Sequence, residues 1–420
     1  MTHACTRLRR GAVTGTAVGM FVVPLAPGPA LAAPAPVPAA PAAPSPVPPS
    51  PSFPSSAGVR TLTPDVTRQL DEAVRRVMRE AHIPGVTVGL WTPHQGQYVK
   101  SFGVADKSTG RRMTPDLYLR IGSETKTFTV TALLELVDRH LVGLDDPIGK
   151  YVDGVPDGDA ITLRRLAGMR SGLFNYTDDD GFFKALTSDP QRPFTPRQLL
   201  GYAFRHPLLF PPGQKFSYSN TNLILLGLVV EKVSGQSLAD YIRDHVLAPA
   251  GLHHTLFPAG AEFPRPHAQG YTNQTADGRV ADAADWNPSW GWAAGAMISD
   301  LDDLHVWART VATGVLPDGS TLIDPATQKQ RLTTGPTPIP GTGYGLGIFD
   351  VRGWIGHNGS LPGYESLTVH LPSARTTLVV LLNTDIDDRG TEPSTLLGET
   401  ITKVVSPQHV FNLPAESAAR

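Results

Sequence analysis

Strand-like segments stand at the two ends of the folded chain and helical periodicity fills its middle. At the front, Thr63-Pro64 is a helix start, and Val66, Leu70, Val74, Val77 and Met78 recur at three- and four-residue spacing until Ile83-Pro84-Gly85 ends the pattern. Val86 to Trp91 and Gln97 to Phe102 then read as strands around the turn Pro93-His94-Gln95-Gly96. Near the back, Gly343 to Phe349, Trp354 to Gly356, Leu367 to Leu371 and Thr377 to Leu382 are strand-like, with Pro372-Ser373-Ala374-Arg375 as a turn. Phe128 to His140, Thr195 to Phe204 and Thr221 to Val233 are helical, and Ser234-Gly235 closes the last. The economical solution is one antiparallel sheet built from both ends, flanked by helices and carrying an inserted, mainly helical domain. The expected class is α/β (α+β), with the sheet part at about 61–122 and 290–405, the insertion at about 123–289 and a tail at 406–420.

The first sixty residues have a different composition. Arg7, Arg9 and Arg10 precede an uncharged run from Gly11 to Leu25, and Ala30-Leu31-Ala32 offers the small residues a signal peptidase reads. The run contains Gly15, Gly19 and Pro24 and falls short of the about 20 residues that span a bilayer. An export signal over 1–32 is expected, with no stable membrane anchor and a secreted, wall-side location. Arg9-Arg10 fits twin-arginine export, Gly11-Ala12 does not, and the route stays open. Cys5 is the one cysteine and leaves with the signal, so the mature chain has no disulfide, thiolate nucleophile or Cys-ligated metal. Residues 33–60 hold ten prolines among Ala, Ser and Val and read as an extended spacer.

Several chemistries are excluded early. A formal net charge of -2 gives no basic surface for a phosphate backbone, so no nucleic-acid partner is expected. No HExxH pair occurs, and His253-His254 are neighbours that read as structural, so no metal is expected. The stretch from Gly143 to Gly149-Lys150 has five intervening residues and then Tyr151, which is not a phosphate loop. Gly341, Gly343, Gly345 and Gly347 alternate with no helix behind them, so no dinucleotide fingerprint and no cofactor are implied.

Chemistry enters at Ser123-Glu124-Thr125-Lys126, where a loop becomes an apolar helix and the i, i+3 spacing puts hydroxyl and amine on one face. A lysine desolvated enough to be neutral can take the serine proton. Alone, the pattern is weak, since a serine there is equally a helix cap. Two further pieces follow in order. Tyr218-Ser219-Asn220 precedes a helix and supplies a phenol as proton shuttle and an amide able to hold a substrate carbonyl or amide. His357-Asn358-Gly359-Ser360 follows a strand, where Ser360 N–H can join Ser123 N–H as an oxyanion hole. Tyr271-Thr272-Asn273 lacks a helix behind it and His94-Gln95-Gly96 lies in a turn before the serine, so neither competes.

In these motifs the chain resembles the serine penicillin-recognising family, and within it the secreted D-alanyl-D-alanine carboxypeptidases and class C β-lactamases. Arg120-Ile121-Gly122, Arg170-Ser171-Gly172-Leu173 with Asn175-Tyr176-Thr177, Pro211 to Asn220, Trp290 with Ala294-Gly295-Ala296, and Gly343 to Gly347 extend the likeness over Thr61 to about Val405. The resemblance implies a β-lactamase/DD-peptidase-like fold with the site between its two parts. It makes Ser123 the acylated nucleophile, Lys126 its proton acceptor and Tyr218 the relay toward the leaving group. Asn220 would hold the substrate's penultimate amide, His357 would replace the usual lysine, Ser360 with Gly359 would supply the oxyanion side, and Trp290 would wall the cleft.

One position departs from the pattern. Where histidine-bearing carboxypeptidases of the family place a carboxylate-gripping arginine, this chain has Phe349, and Arg352 three residues on turns to the opposite strand face. The expected activity is D-alanyl-D-alanine carboxypeptidase or transpeptidase, with peptidoglycan stem peptides or another small acyl substrate as partner and β-lactams as acylating inhibitors. The alternatives are an esterase, a D-amino-acid amidase or aminopeptidase, a β-lactamase, and a non-catalytic wall-fragment or β-lactam binder.

Overall fold

The computed structural model describes residues 58–413, so the expected export signal and nearly all of the spacer lie outside the described residues. Helix α1 (Pro64–Glu80) is capped by the Thr63 side chain, which accepts from Val66 N, and buries Val66, Leu70, Val74 and Val77 as the periodicity requires. Nine strands of the described residues form the main sheet: β1 (Gly85–Thr92), β2 (Gly96–Asp106), β3 (Arg111–Arg112), β4 (Gly335–Pro336), β5 (Thr342–Tyr344), β6 (Phe349–Val351), β7 (Trp354–Leu361), β8 (Tyr364–Leu371) and β9 (Thr376–Leu382). Their order is β3-β2-β1-β9-β8-β7-β6-β5-β4 and every pairing is antiparallel. The two ends of the chain meet at the centre, where Val88 lies opposite Val380 and Val380 opposite Leu367.

The sheet is covered on both faces, which explains the unbroken apolar run of β9. Leu378, Val380 and Leu382 face α1 and the last helix, α6 (Pro393–Val405), whereas Val379 and Leu381 face the larger core of the helical part. That core is built on α2 (Thr125–Asp138), α3 (Pro196–Ala203), α4 (Asn220–Ser234) and α5 (Leu301–Thr313). No helix among the described residues is long and apolar enough to cross a membrane.

The structure departs from the sequence reading at three places, the first being that His357 to Ser360 do not follow a strand but lie inside β7. Gly343 to Phe349 is not one strand, because β5 and β6 are joined by a tight turn in which Gly345 N donates to Ile348 O and Gly347 has φ +69°. Gly345 is pressed on the Arg331 carbonyl, leaving 2.2 Å to a Cβ placed there, so a continuing strand with side chains would not fit. Packing also runs past Val405. Phe411 is buried, its N–H donates to Thr402 Oγ1, and Trp354 Nε1 donates to His409 O at 2.6 Å.

Candidate active site

Helix α2 begins in a 3₁₀ turn, Gly122–Glu124, and from Thr125 to Leu134 every side chain is buried. A helix apolar on all sides is a core helix, and here it also carries four threonines whose hydroxyls need partners. Thr125 Oγ1 accepts from Met297 N, Thr129 Oγ1 donates to Ala293 O, and Thr127 Oγ1 accepts from Trp307 Nε1. The buried Arg331 donates to Thr131 Oγ1 and to Thr127 O, both at 2.9 Å. These bonds fix the helix whose first turns present Ser123 and Lys126.

Lys126 is fully buried, with Nζ 2.8 Å from Ser123 Oγ and 2.7 Å from Ala294 O. Burial drives its pKa well below the ordinary lysine value, toward the free amine. The same amine stands 4.9 Å from the Tyr218 ring centre. Tyr218 is placed by the start of α4, where Asn175 Oδ1 accepts from Asn220 N, Tyr176 N donates to Thr221 Oγ1, and Asn220 Nδ2 donates to Thr177 Oγ1 at 3.3 Å. The Asn175-Tyr176-Thr177 loop therefore clamps the helix end that sequence reasoning singled out.

Strand β7 supplies the facing wall. Its neighbour β6 pairs with it only over Trp354, Ile355 and Gly356, so among the described residues His357 onward has no strand on that side. Gly359 passes so near Ile121 that a Cβ there would lie 2.0 Å from the Ile121 carbonyl oxygen. Gly122 has φ +50°, and a Cβ on it would come within 2.8 Å of Ser360 N. These two glycines let backbone meet backbone, which sets the Ser360 backbone nitrogen against Gly122, the residue before Ser123.

His357 is buried, with Nδ1 2.5 Å from Asn358 O and Nε2 3.2 Å from the Tyr344 hydroxyl. A carbonyl only accepts, so Nδ1 carries the proton and Nε2 accepts from Tyr344. Burial first, and next the nearness of Lys126, push its pKa down to about 3, so the imidazole is neutral. Phe349 lies against it at 4.9 Å, stacks on Tyr218 at 6.4 Å with a 9° tilt, and meets Tyr344 edge-on at 4.7 Å. Phe216 closes the group at 5.6 Å from Tyr344. Sequence reasoning missed Tyr344 and Phe216 as site residues, although both lay inside stretches it had noted.

Arg352 and Trp290 are also singled out by the sequence. Arg352 is exposed in the β6–β7 turn, in a groove of ≈ 330 Å³ with Asp350, Thr334 and Gly341. Trp290 packs on Phe182 at 6.0 Å, and its carbonyl accepts from the Tyr176 hydroxyl, so its described contacts belong to the helical part. Next to Ser123, Glu124 is buried facing Ser366 and Thr368, and burial pushes its carboxyl up to about 8.

The family description Beta-lactamase matches residues 70–398, most of the chain and all of these elements. The chain belongs to the beta-lactamase family. Among relatives of this family, Protein flp of Staphylococcus aureus (strain MW2) is 28% identical over 77% of this chain and 64% of its own length. The chain thus spans somewhat less than two thirds of that curated relative. The D-stereospecific amidohydrolase from Streptomyces sp. superposes with a TM-score of 0.68 at 28% identity, covering 79% of this chain and 97% of that one. The D-amino acid amidase from Ochrobactrum anthropi SV3 gives 0.69 at 26% identity, covering 80% and 97%. The fold is that of the beta-lactamase family's serine hydrolases, as the motifs of Ser123, Lys126, Tyr218 and His357 implied.

Proposed function

We propose that this chain is an exported serine hydrolase that forms an acyl-enzyme on Ser123 and cleaves amide bonds of D-configured amino-acid substrates whose leaving side carries no carboxylate. The observation that carries this reading is the uncharged wall opposite the serine, where Phe349 lies against a neutral His357. A carboxylate bound there would lose a charge-assisted hydrogen bond worth about 1.5–3 kcal/mol. The D-stereospecific amidohydrolase and D-amino acid amidase with the same fold support the choice of substrate class.

In the proposed cycle the Ser123 proton passes to the Lys126 amine as Oγ attacks the scissile carbonyl carbon. Ser123 N–H and Ser360 N–H take the developing oxyanion. Tyr218 relays the proton to the leaving nitrogen, so the C–N bond breaks and a neutral amine or ammonia departs. Water then attacks the ester, gives its proton back through the same groups and frees Ser123.

A second reading keeps the D-alanyl-D-alanine carboxypeptidase on peptidoglycan stem peptides, favoured by the His357-Asn358-Gly359 segment. The test pairs D-phenylalanine amide with diacetyl-L-Lys-D-Ala-D-Ala and follows ammonia and D-alanine release, with intact mass after benzylpenicillin reporting the acyl-enzyme. Ammonia release with little D-alanine supports the amidase reading, and the reverse hands the assignment to the carboxypeptidase. No adduct and no release of either product would sink both.

A further inference from the structure

A cavity of ≈ 630 Å³ opens on a different part of the molecule, between the β1–β2 hairpin, α5 and the β8–β9 turn. None of the groups around Ser123 lines it. On one wall the rings of Trp91 and His305 stack at 3.8 Å with only 4° between their planes. Arg309 follows His305 one turn along α5, and Arg375 reaches in from the β8–β9 turn. Neither guanidinium is hydrogen-bonded or ion-paired to another described residue. Arg375 also sits at φ +52°, a left-handed conformation that a turn ordinarily gives to glycine.

Deeper in the cavity, His370 is 4% exposed, with Nδ1 2.9 Å from Thr377 Oγ1. Burial first, and then Arg309, His305 and Arg375, hold its pKa down to about 4, so the imidazole is uncharged. Among the described residues, Asp302 opposes the lowering of the His305 pKa.

We propose that this cavity binds a phosphate monoester, with Arg309 and Arg375 on the phosphate oxygens and the Trp91–His305 stack receiving a flat organic portion. Two unpaired guanidiniums match a dianion better than a carboxylate's single charge, and their forked donors suit phosphate oxygens. The volume exceeds what a bare phosphate fills, which leaves room for the portion laid on Trp91.

The test titrates phenyl phosphate into the chain at low ionic strength by calorimetry, with benzoate as the carboxylate comparator. Saturable one-to-one binding is expected, weakened about tenfold or more by Arg309→Ala or Arg375→Ala and lost in the double variant. Both arginines are exposed, so these variants fold, and an unchanged melting temperature shows it. Ser123→Ala should bind as the wild type does. Absence of saturable binding, wild-type affinity in the double variant, benzoate binding as tightly, or loss of binding in Ser123→Ala would each overturn the proposal.

Discussion

Lys126 Nζ lies 2.8 Å from Ser123 Oγ and 2.7 Å from Ala294 O, and the lysine has no exposed surface. A charged amine would have to be desolvated there with one carbonyl and one hydroxyl for company, so the folded state favours the free base. Because the unfolded chain holds that proton and the folded chain tends to release it, this lysine costs stability at every pH below its ordinary value of 10.5. Lys126→Met should therefore be inactive yet melt above the wild type at pH 7. Acylation by benzylpenicillin should fall by about 10²–10⁴-fold. A variant that melts lower would show that the ammonium form is the stabilising one.

His357 gives a second sign-defined prediction. Its pKa falls from 6.5 to about 3 on folding, so the unfolded chain takes up the proton first. The stability this residue contributes is complete above pH 6.5 and is lost as pH falls from there toward 3. Replacing it with Gln, which presents an amide to Asn358 O and Tyr344, should remove that slope from urea midpoints measured between pH 4 and 7. Nitrogen chemical shifts should show the ring uncharged at pH 5, and a charged ring there would sink the neutral-wall argument.

What the sequence revealed follows the range over which each signal acts. The strands and the ends of α1 and α4 were legible because alternation and capping are local, and Thr63 caps as its spacing implied. The split of β5 from β6 was hidden, since the obstruction at Gly345 is the carbonyl of Arg331, which the sequence does not place nearby. Four threonines along α2 read as polar, yet they are buried because Ala293, Met297, Trp307 and Arg331 meet them from over 150 positions away. Ser123, Lys126 and Tyr218 come together as their motifs suggested, whereas Trp290 packs into the helical part. The charge state of His357 depends on burial and on Lys126, which no spacing encodes.

Glu124 adjoins Ser123 but takes no part in the proposed proton transfers. With its carboxyl at about 8 in the fold against 4.5 unfolded, the folded chain holds the extra proton between those values. Stability therefore falls as pH rises from 4.5 to 8 and levels beyond. Glu124→Gln keeps the shape of the neutral acid and should flatten that decline, with a gain on the order of a few kcal/mol at pH 9 and almost none at pH 4. Urea unfolding at the two pH values measures the difference, and an equal gain at both would point to packing instead.

Phe349 decides what the wall can hold. It occupies the β6 position next to His357, and the nearest arginine in sequence, Arg352, is turned into another groove. Phe349→Arg places a guanidinium beside a neutral imidazole, where a substrate carboxylate gains a partner worth about 1.5–3 kcal/mol. For diacetyl-L-Lys-D-Ala-D-Ala, kcat/KM should rise about 10- to 100-fold, while D-phenylalanine amide should lose activity as the ring that packs on Tyr218 disappears. The two changes test the reading together. If both substrates decline, the arginine has only disordered the aromatic group, and if neither responds, the leaving side of the substrate does not meet this wall.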